Sequence, residues 1–177
     1  DFNAFLAKVF AEDTKCSADF ELLRPDQPPL IVNVAATRQI NAHGYRGASV
    51  DRISARLNVT KGSFYHHNPN KEDLISECFE RTFSVTRRMQ MMARAGDGSG
   101  WDKLCAVSRG LVRFQFSEQA PLLRMSAWSE LPDDIRESKL KTINQIGQRF
   151  VFFLVDGMKD GSIRPVDQAV AAFQVSA

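Results

Sequence analysis

Gly44-Tyr45-Arg46-Gly47-Ala48-Ser49-Val50-Asp51-Arg52-Ile53-Ser54-Ala55-Arg56-Leu57-Asn58-Val59-Thr60-Lys61-Gly62-Ser63-Phe64-Tyr65-His66-His67 is the stretch whose reading decides the fold. Ser49 is a good N-cap, and Asp51 falls in the first turn that follows, where the helix dipole favours an acid. Val50, Ile53 and Leu57 give this helix one buried face. Asn58 tolerates a left-handed turn, Val59 can plug the core beneath it, and Thr60 can cap a third helix that starts at Lys61. That helix must be short, because Pro69 disfavours a helical Asn68. Two short helices joined by a three- or four-residue turn, the second basic and glycine-containing, describe a helix-turn-helix.

A recognition helix must carry small and polar side chains outward to enter a major groove about 12 Å wide. Gly62 and Ser63 allow close backbone approach. Lys61 can donate to guanine or to phosphate, and Tyr65 and His67 can donate to phosphates, with His66 beside them. Ser49 and Thr60, at the starts of the two helices, belong to the same candidate contact set. Arg46 and Arg52 are placed to approach the nucleic-acid backbone. Lys71 adds its charge to the amides at the start of the next helix, which already favour a phosphate. The plainer reading of each remains open: Tyr65 as a cover for a small core, Lys61 as a solvated lysine. Metal binding by His66 and His67 is disfavoured, because adjacent helical residues point about 100° apart and no ligand stands four residues away.

Charge distribution agrees with this reading. Residues 37–71 carry six basic side chains and one acidic, residues 1–36 carry three and six, and residues 72–177 carry fourteen of each. The net charge of +2 over 177 residues is therefore concentrated in the helix-turn-helix window. A basic window in an otherwise balanced chain suits a phosphate-facing surface or a solvated basic face.

Outward from that window the chain reads as all-α. Residues 30–43 form a helix ended by Gly44. Lys71-Glu72-Asp73 opens a long helix running to about Arg94. Gly96-Asp97-Gly98-Ser99-Gly100 is a break, followed by expected helices over 101–117, 121–131, 132–157 and from 166 onward. Upstream, Phe2, Phe5, Leu6, Val9 and Phe10 form an apolar stripe, and Arg24-Pro25-Asp26-Gln27-Pro28-Pro29 reads as a stiff linker. The expected division is a helical extension with a Pro-rich linker over 1–29, a helix-turn-helix DNA-binding domain over 30–75, and a helical ligand-binding and dimerisation domain over 76–177, incomplete at its C-terminus. The first segment is read as the tail of a preceding domain in a longer chain.

The run from Gly44 to Ile53, then Leu57-Asn58-Val59-Thr60-Lys61-Gly62-Ser63-Phe64-Tyr65-His66-His67, then Asn70-Lys71-Glu72-Asp73-Leu74, resembles the DNA-binding domain of the tetracycline-repressor (TetR) family. That family carries a Gly-Tyr, a Thr/Ser-Val helix start, a Val-Ser-Lys-Gly-Thr-Leu-Tyr recognition helix and an Asn/Ser-Lys-Glu-x-Leu start to the fourth helix. Asn68 departs from the pattern, standing where the family usually has Phe. The resemblance implies an all-helical homodimer that binds a double-stranded DNA operator and is released by a small-molecule effector. The segment from Gly157 to Asp167 is similar to the family's turn before its dimerising helices, which would place much of the dimer interface at or beyond Ala177.

Met89, Met92, Arg109, Arg113, Phe116, Met125, Trp128, Phe150 and Phe153 are candidates for the effector pocket, with plain core packing as the alternative for the apolar ones. Arg109 and Arg113, one turn apart, could clamp an anion or serve a surface or dimer role. Catalysis is not expected: the sequence holds no GxSxG, no HExxH and no phosphate-binding glycine loop. No cofactor or metal is expected. Cys16, Cys78 and Cys105 are widely spaced and odd in number, which favours a reducing cytoplasm over a disulfide framework. No apolar run is long enough to span a bilayer, so no membrane partner is expected. Two other classes stand beside the regulator: a helical protein-interaction module that keeps the fold without reading DNA, and an enzyme or carrier built on a helical ligand-binding bundle.

Overall fold

A computed structural model describes residues 28–58, 60–67, 70–116 and 121–167. The expected helix over residues 1–10, most of the linker, Val59, Asn68, Pro69 and most of the last expected helix lie outside these residues, as do the side chains of Ser63, His66 and His67. Every element among the described residues is helical. In chain order they are α1 (Pro28–Gly47), α2 (Val50–Leu57), α3 (Lys61–His67), α4 (Lys71–Ala95), α5 (Gly100–Gln115), a 3-10 helix (Met125–Glu130) and α6 (Asp133–Asp160). None is long and apolar enough to cross a membrane.

The linker expectation is corrected at its end, because Pro28 and Pro29 open α1. Proline fits the first helical turn: its missing N–H has no helical partner there, and its φ is already helical. α1 breaks at Gly44 (φ 71°, ψ 171°), a backbone conformation essentially restricted to glycine, and resumes for one short turn. Asn58 takes the left-handed conformation (φ 54°, ψ 38°) that closes α2, as its residue type suggested.

α4 is the spine. Asn70 caps it, Oδ1 accepting from the Asp73 amide at 2.6 Å, with Glu72 and Asp73 in its first turn. Its first half buries Leu74, Ile75, Cys78 and Phe79 against Ala35, Ala36 and Ile40 of α1. Its second half buries Phe83, Met89 and Ala93 against α5 and α6. The expected division at 75/76 thus falls inside one unbroken helix.

α5 and α6 cross at two glycines. A Cβ at Gly100 would lie within the backbone of Gly157 and 2.6 Å from the Phe153 carbonyl oxygen, so the helices meet backbone to backbone. The start of α5 is satisfied twice. Ser99 and Asp102 form a reciprocal capping box, while Asp160 accepts from the Gly100 amide at 2.7 Å and Ser162 from the Trp101 amide at 3.1 Å. Ser99 holds the Asp102 carboxyl below its ordinary pKa, and Ser162 does the same for Asp160.

Residues 121–131 depart from expectation. Instead of an α-helix, they form an irregular strap leading into the 3-10 helix. The cause is competition for backbone groups. The amides of Leu122, Leu123 and Arg124 donate to Gln115 Oε1, Thr82 Oγ1 and Asn41 Oδ1. The carbonyls of Pro121 and Leu122 accept from Arg81 Nη1 and Asn41 Nδ2. Side chains from α1, α4 and α5 thus satisfy this backbone, and a helix has no open donors left to claim. Leu122, Leu123, Ala127 and Leu131 face the core, and Trp128 meets Phe79 edge-on at 5.5 Å.

Candidate nucleic-acid interface

α2 and α3 stand on a narrow apolar base. Ile53 and Phe64 are buried, and Val50 and Leu57 pack against them partly covered. Ser49 Oγ accepts from the Asp51 amide at 3.2 Å, which starts α2. The Thr60 carbonyl accepts from the Phe64 amide at 3.0 Å, which makes Thr60 the residue leading into α3. With both helix starts fixed and the base buried, the opposite face of each helix points outward.

The predicted contact residues whose side chains are described differ in exposure. Arg46, Arg52, Thr60, Lys61, Gly62 and Tyr65 are exposed, while Ser49 and Lys71 are half-covered. Tyr65 keeps 46% of its surface open and touches Phe64 only edge-on, at 5.8 Å, so it does not cover the small core. Lys61 Nζ pairs with Asp51 at 2.7 Å, and this hydrogen bond raises its pKa. The pair joins α3 to α2 on the exposed face, where solvent screens it, and it can open to offer its cation elsewhere.

Gly62 is informative for what it lacks. It lies within a helix, and a Cβ there would find its nearest neighbour, Thr60 Oγ1, at an ordinary 3.9 Å. Among the described residues, neither backbone conformation nor packing requires glycine at this position. Glycine in a helix costs about 1 kcal/mol relative to alanine.

Behind this face is a cluster that sequence reasoning missed. Tyr45 is buried, and its hydroxyl donates to Glu72 Oε1 at 2.9 Å. Burial, with the Glu72 carboxylate in support, pushes its pKa up to about 12. The Lys71 ammonium lies 4.4 Å above the Tyr45 ring, and burial lowers its pKa. Lys71 therefore begins α4 stacked on Tyr45 rather than extended into solvent. The Tyr45 amide donates to Glu130 Oε2 at 2.8 Å and the Arg46 amide to the same oxygen at 3.4 Å. A Cβ at Gly44 would stand 2.8 Å from that carboxylate, so the glycine makes room for Glu130 as well as the turn. Asn41, Tyr45, Glu72 and Glu130 carry no local signature, since Glu130 is 85 positions from Tyr45. Only the Gly44-Tyr45 pair and Lys71-Glu72 were visible, as separate pieces of the family pattern.

The effector-pocket candidates differ in burial. Met89, Phe150 and Phe153 are buried, Met125 and Trp128 pack partly covered against the core, and Met92 and Phe116 are exposed. Arg109 is half-covered and Arg113 exposed on α5. Cys78 is fully buried, and burial pushes its thiol up to about 11, which suits a core residue. Among the described residues, no group of His, Cys, Asp and Glu side chains could hold a metal.

Comparison with known proteins places this geometry. Residues 34–78 match the model of the bacterial regulatory proteins of the tetR family. The Transposon Tn10 TetC protein of Escherichia coli is 50% identical over 114 residues, which cover 61% of this chain and 57% of that protein's length. The HTH-type transcriptional regulator YhgD of Bacillus subtilis (strain 168) is 24% identical over 149 residues, covering 84% of this chain and 78% of that protein. The crystal structure of AibR in complex with isovaleryl coenzyme A and operator DNA aligns with a TM-score of 0.71 at 21% identity, covering 84% of this chain and 82% of that one. With a helix-turn-helix at the matched residues and a helical body behind it, residues 34–78 carry the DNA-binding domain of the tetR family of bacterial regulatory proteins.

Proposed function

We propose that this chain is a sequence-specific transcriptional regulator, a repressor that binds a pseudo-palindromic operator as a homodimer and releases it on binding a small molecule. Residues 30–75 read the DNA and residues 76–177 bind the ligand and the partner copy. The protein works in the cytoplasm and performs no catalysis. One observation carries the reading: Gly62 sits exposed in α3, and nothing among the described residues requires it to be glycine. A missing side chain at the start of a short outward helix favours close approach by a surface outside the protein. Exposed Arg46, Arg52, Lys61 and Tyr65 surround it with groups that bind phosphates and base edges.

In this reading two copies set α3 in successive major grooves, about one helical turn of DNA apart or a multiple of it. Ser63, His66 and His67 complete the contact set with Ser49, Thr60 and Lys71. The arrangement in AibR, whose crystal holds both operator DNA and an acyl-coenzyme A, supports the division into a reading head and a ligand-binding body.

The test is a footprint on the DNA upstream of the protein's own gene. A short protected palindrome is expected, lost in Tyr65→Ala, with affinity falling steeply as salt rises because each phosphate contact releases counterions. An absence of protection even at low salt would overturn the reading.

A further inference from the structure

Between the second half of α4, the start of α5 and the end of α6 lies a cleft of about 150 Å³. Its walls carry three cations, Arg94, Lys103 and Arg149, against one carboxylate, Asp156. The buried ring of Phe153 forms part of its lining. Phe152 leaves 54% of its surface open at this site, and the Arg94 guanidinium lies 5.8 Å from its ring centroid. Gln90 also lines the cleft and is 99% buried (1% exposed). Its Nε2 donates to the Ile146 carbonyl at 3.0 Å, while its Oε1 is buried without a hydrogen-bond partner. A buried acceptor left unpaired in a native core calls for an explanation.

We propose that this cleft is the effector site and that it takes a single-ring aromatic carboxylate bearing a ring hydroxyl. The inference rests on the ligand-released reading above and names the ligand class for it. Size sets the first limit, since a cavity of about 150 Å³ holds one benzene-sized ring. Charge sets the second: the lining is cationic on balance, and a guanidinium such as that of Arg94 gives paired hydrogen bonds to a carboxylate. The unpaired Gln90 Oε1 sets the third, because it can only accept, and a ring hydroxyl would donate to it. The exposed ring of Phe152 supplies stacking for a flat ring. A coenzyme A thioester is too large for this volume.

Calorimetric titration of the full chain with 4-hydroxybenzoate, benzoate and phenol tests the proposal. 4-Hydroxybenzoate is expected to bind most tightly, with phenol at least about tenfold weaker because each 1.4 kcal/mol is a factor of ten. Arg94→Ala and Arg149→Ala, both at solvent-reached positions, should each weaken 4-hydroxybenzoate to a similar degree. Gln90→Leu should erase its advantage over benzoate. Lack of binding at millimolar ligand, equal binding of phenol, or indifference to both arginine variants would overturn the site. So would dissociation of an oligomer in Arg149→Ala, seen by sedimentation, without a change in ligand affinity, since the cleft would then be a subunit contact. An operator retardation assay on the same preparation separates the two readings. Salt-dependent DNA binding without carboxylate binding overturns this inference alone. Carboxylate binding without DNA binding supports it and overturns the function proposed above.

Discussion

The reading head, α2 and α3, and the strap, residues 121–131, solve opposite problems. The head is built from local rules: a serine cap, a left-handed asparagine and two short helices of 8 and 7 residues standing on Ile53 and Phe64. Its outer face makes few bonds within the chain, and the Lys61–Asp51 pair there is exposed. The strap follows almost no local rule. Its backbone is held by Asn41, Arg81, Thr82 and Gln115, and Glu130 at its end holds the Gly44 turn of α1. One region leaves polar groups exposed to solvent, and the other spends them on joining distant parts of the chain. The strap is thus one piece, beside α4 itself, through which a change around α4–α6 would reach the orientation of α1 and, with it, the head.

Removing the strongest joint should give the largest effect. Phe79 is fully buried and touches both Trp128 of the strap and Phe83 of α4. Phe79→Ala is expected to cost about 3–5 kcal/mol, the range for deleting a buried aromatic. Urea unfolding measures it, and a loss below about 1 kcal/mol would show that strap and spine are not one core.

The next effect separates joining from reading. Asn41→Ala leaves the Arg124 amide and the Leu122 carbonyl without their side-chain partner, and Glu130→Ala does the same to Tyr45 and Arg46. Each should cost about 1–3 kcal/mol where the orphaned groups stay away from water. Both variants leave every outward group of α3 in place. The expected signature in a DNA titration is therefore nearly unchanged operator affinity with weakened release by ligand, a coupling change within the usual range of about 1–3 kcal/mol. Loss of operator affinity with coupling intact would reverse the assignment of the strap.

This contrast also explains what the sequence could reveal. The helix-turn-helix was legible because Ser49, Asn58 and the apolar positions of α2 act within a few residues of themselves. Gly44 was legible as a helix end, although its second role, admitting Glu130, was not. The strap was misread as a helix because propensity is a local property, and four side chains lying 7 to 83 positions away claimed its backbone instead. Met89, Phe150 and Trp128 were ambiguous for a related reason: pocket and core use the same side chains, and only packing tells them apart. Gln90 gave no signal at all, because an unpaired acceptor becomes visible only when its surroundings are known.

Tyr45 offers a pH test at the seam between head and strap. Its folded pKa, about 12, lies above the ordinary value of 10.0, so the folded state keeps a proton that the unfolded chain releases. The resulting stabilisation is fully present below pH 10 and is lost as pH rises toward 12. Melting temperatures from pH 9 to 11.5 should fall more steeply for the native chain than for Tyr45→Phe, with a difference in slope amounting to a few degrees. Parallel curves would mean that the Tyr45 hydroxyl is not held by burial and Glu72.

The smallest expected effect tests whether the head can open alone. Ser49→Ala removes the side-chain acceptor from the Asp51 amide and should cost about 1 kcal/mol, as N-cap losses do. Because α2 has 8 residues, the loss of a cap at one end loosens a large share of it. Hydrogen exchange should then speed up at the amides of α2 and α3 while the buried amides of α4 and α6 keep their rates, since the spine is held by its own contacts with α5 and the strap. If instead all protected amides speed up together by the same factor, head and spine unfold as one unit. An operator would then meet a rigid body, and any adjustment of the two reading helices would have to come from the way two copies are joined.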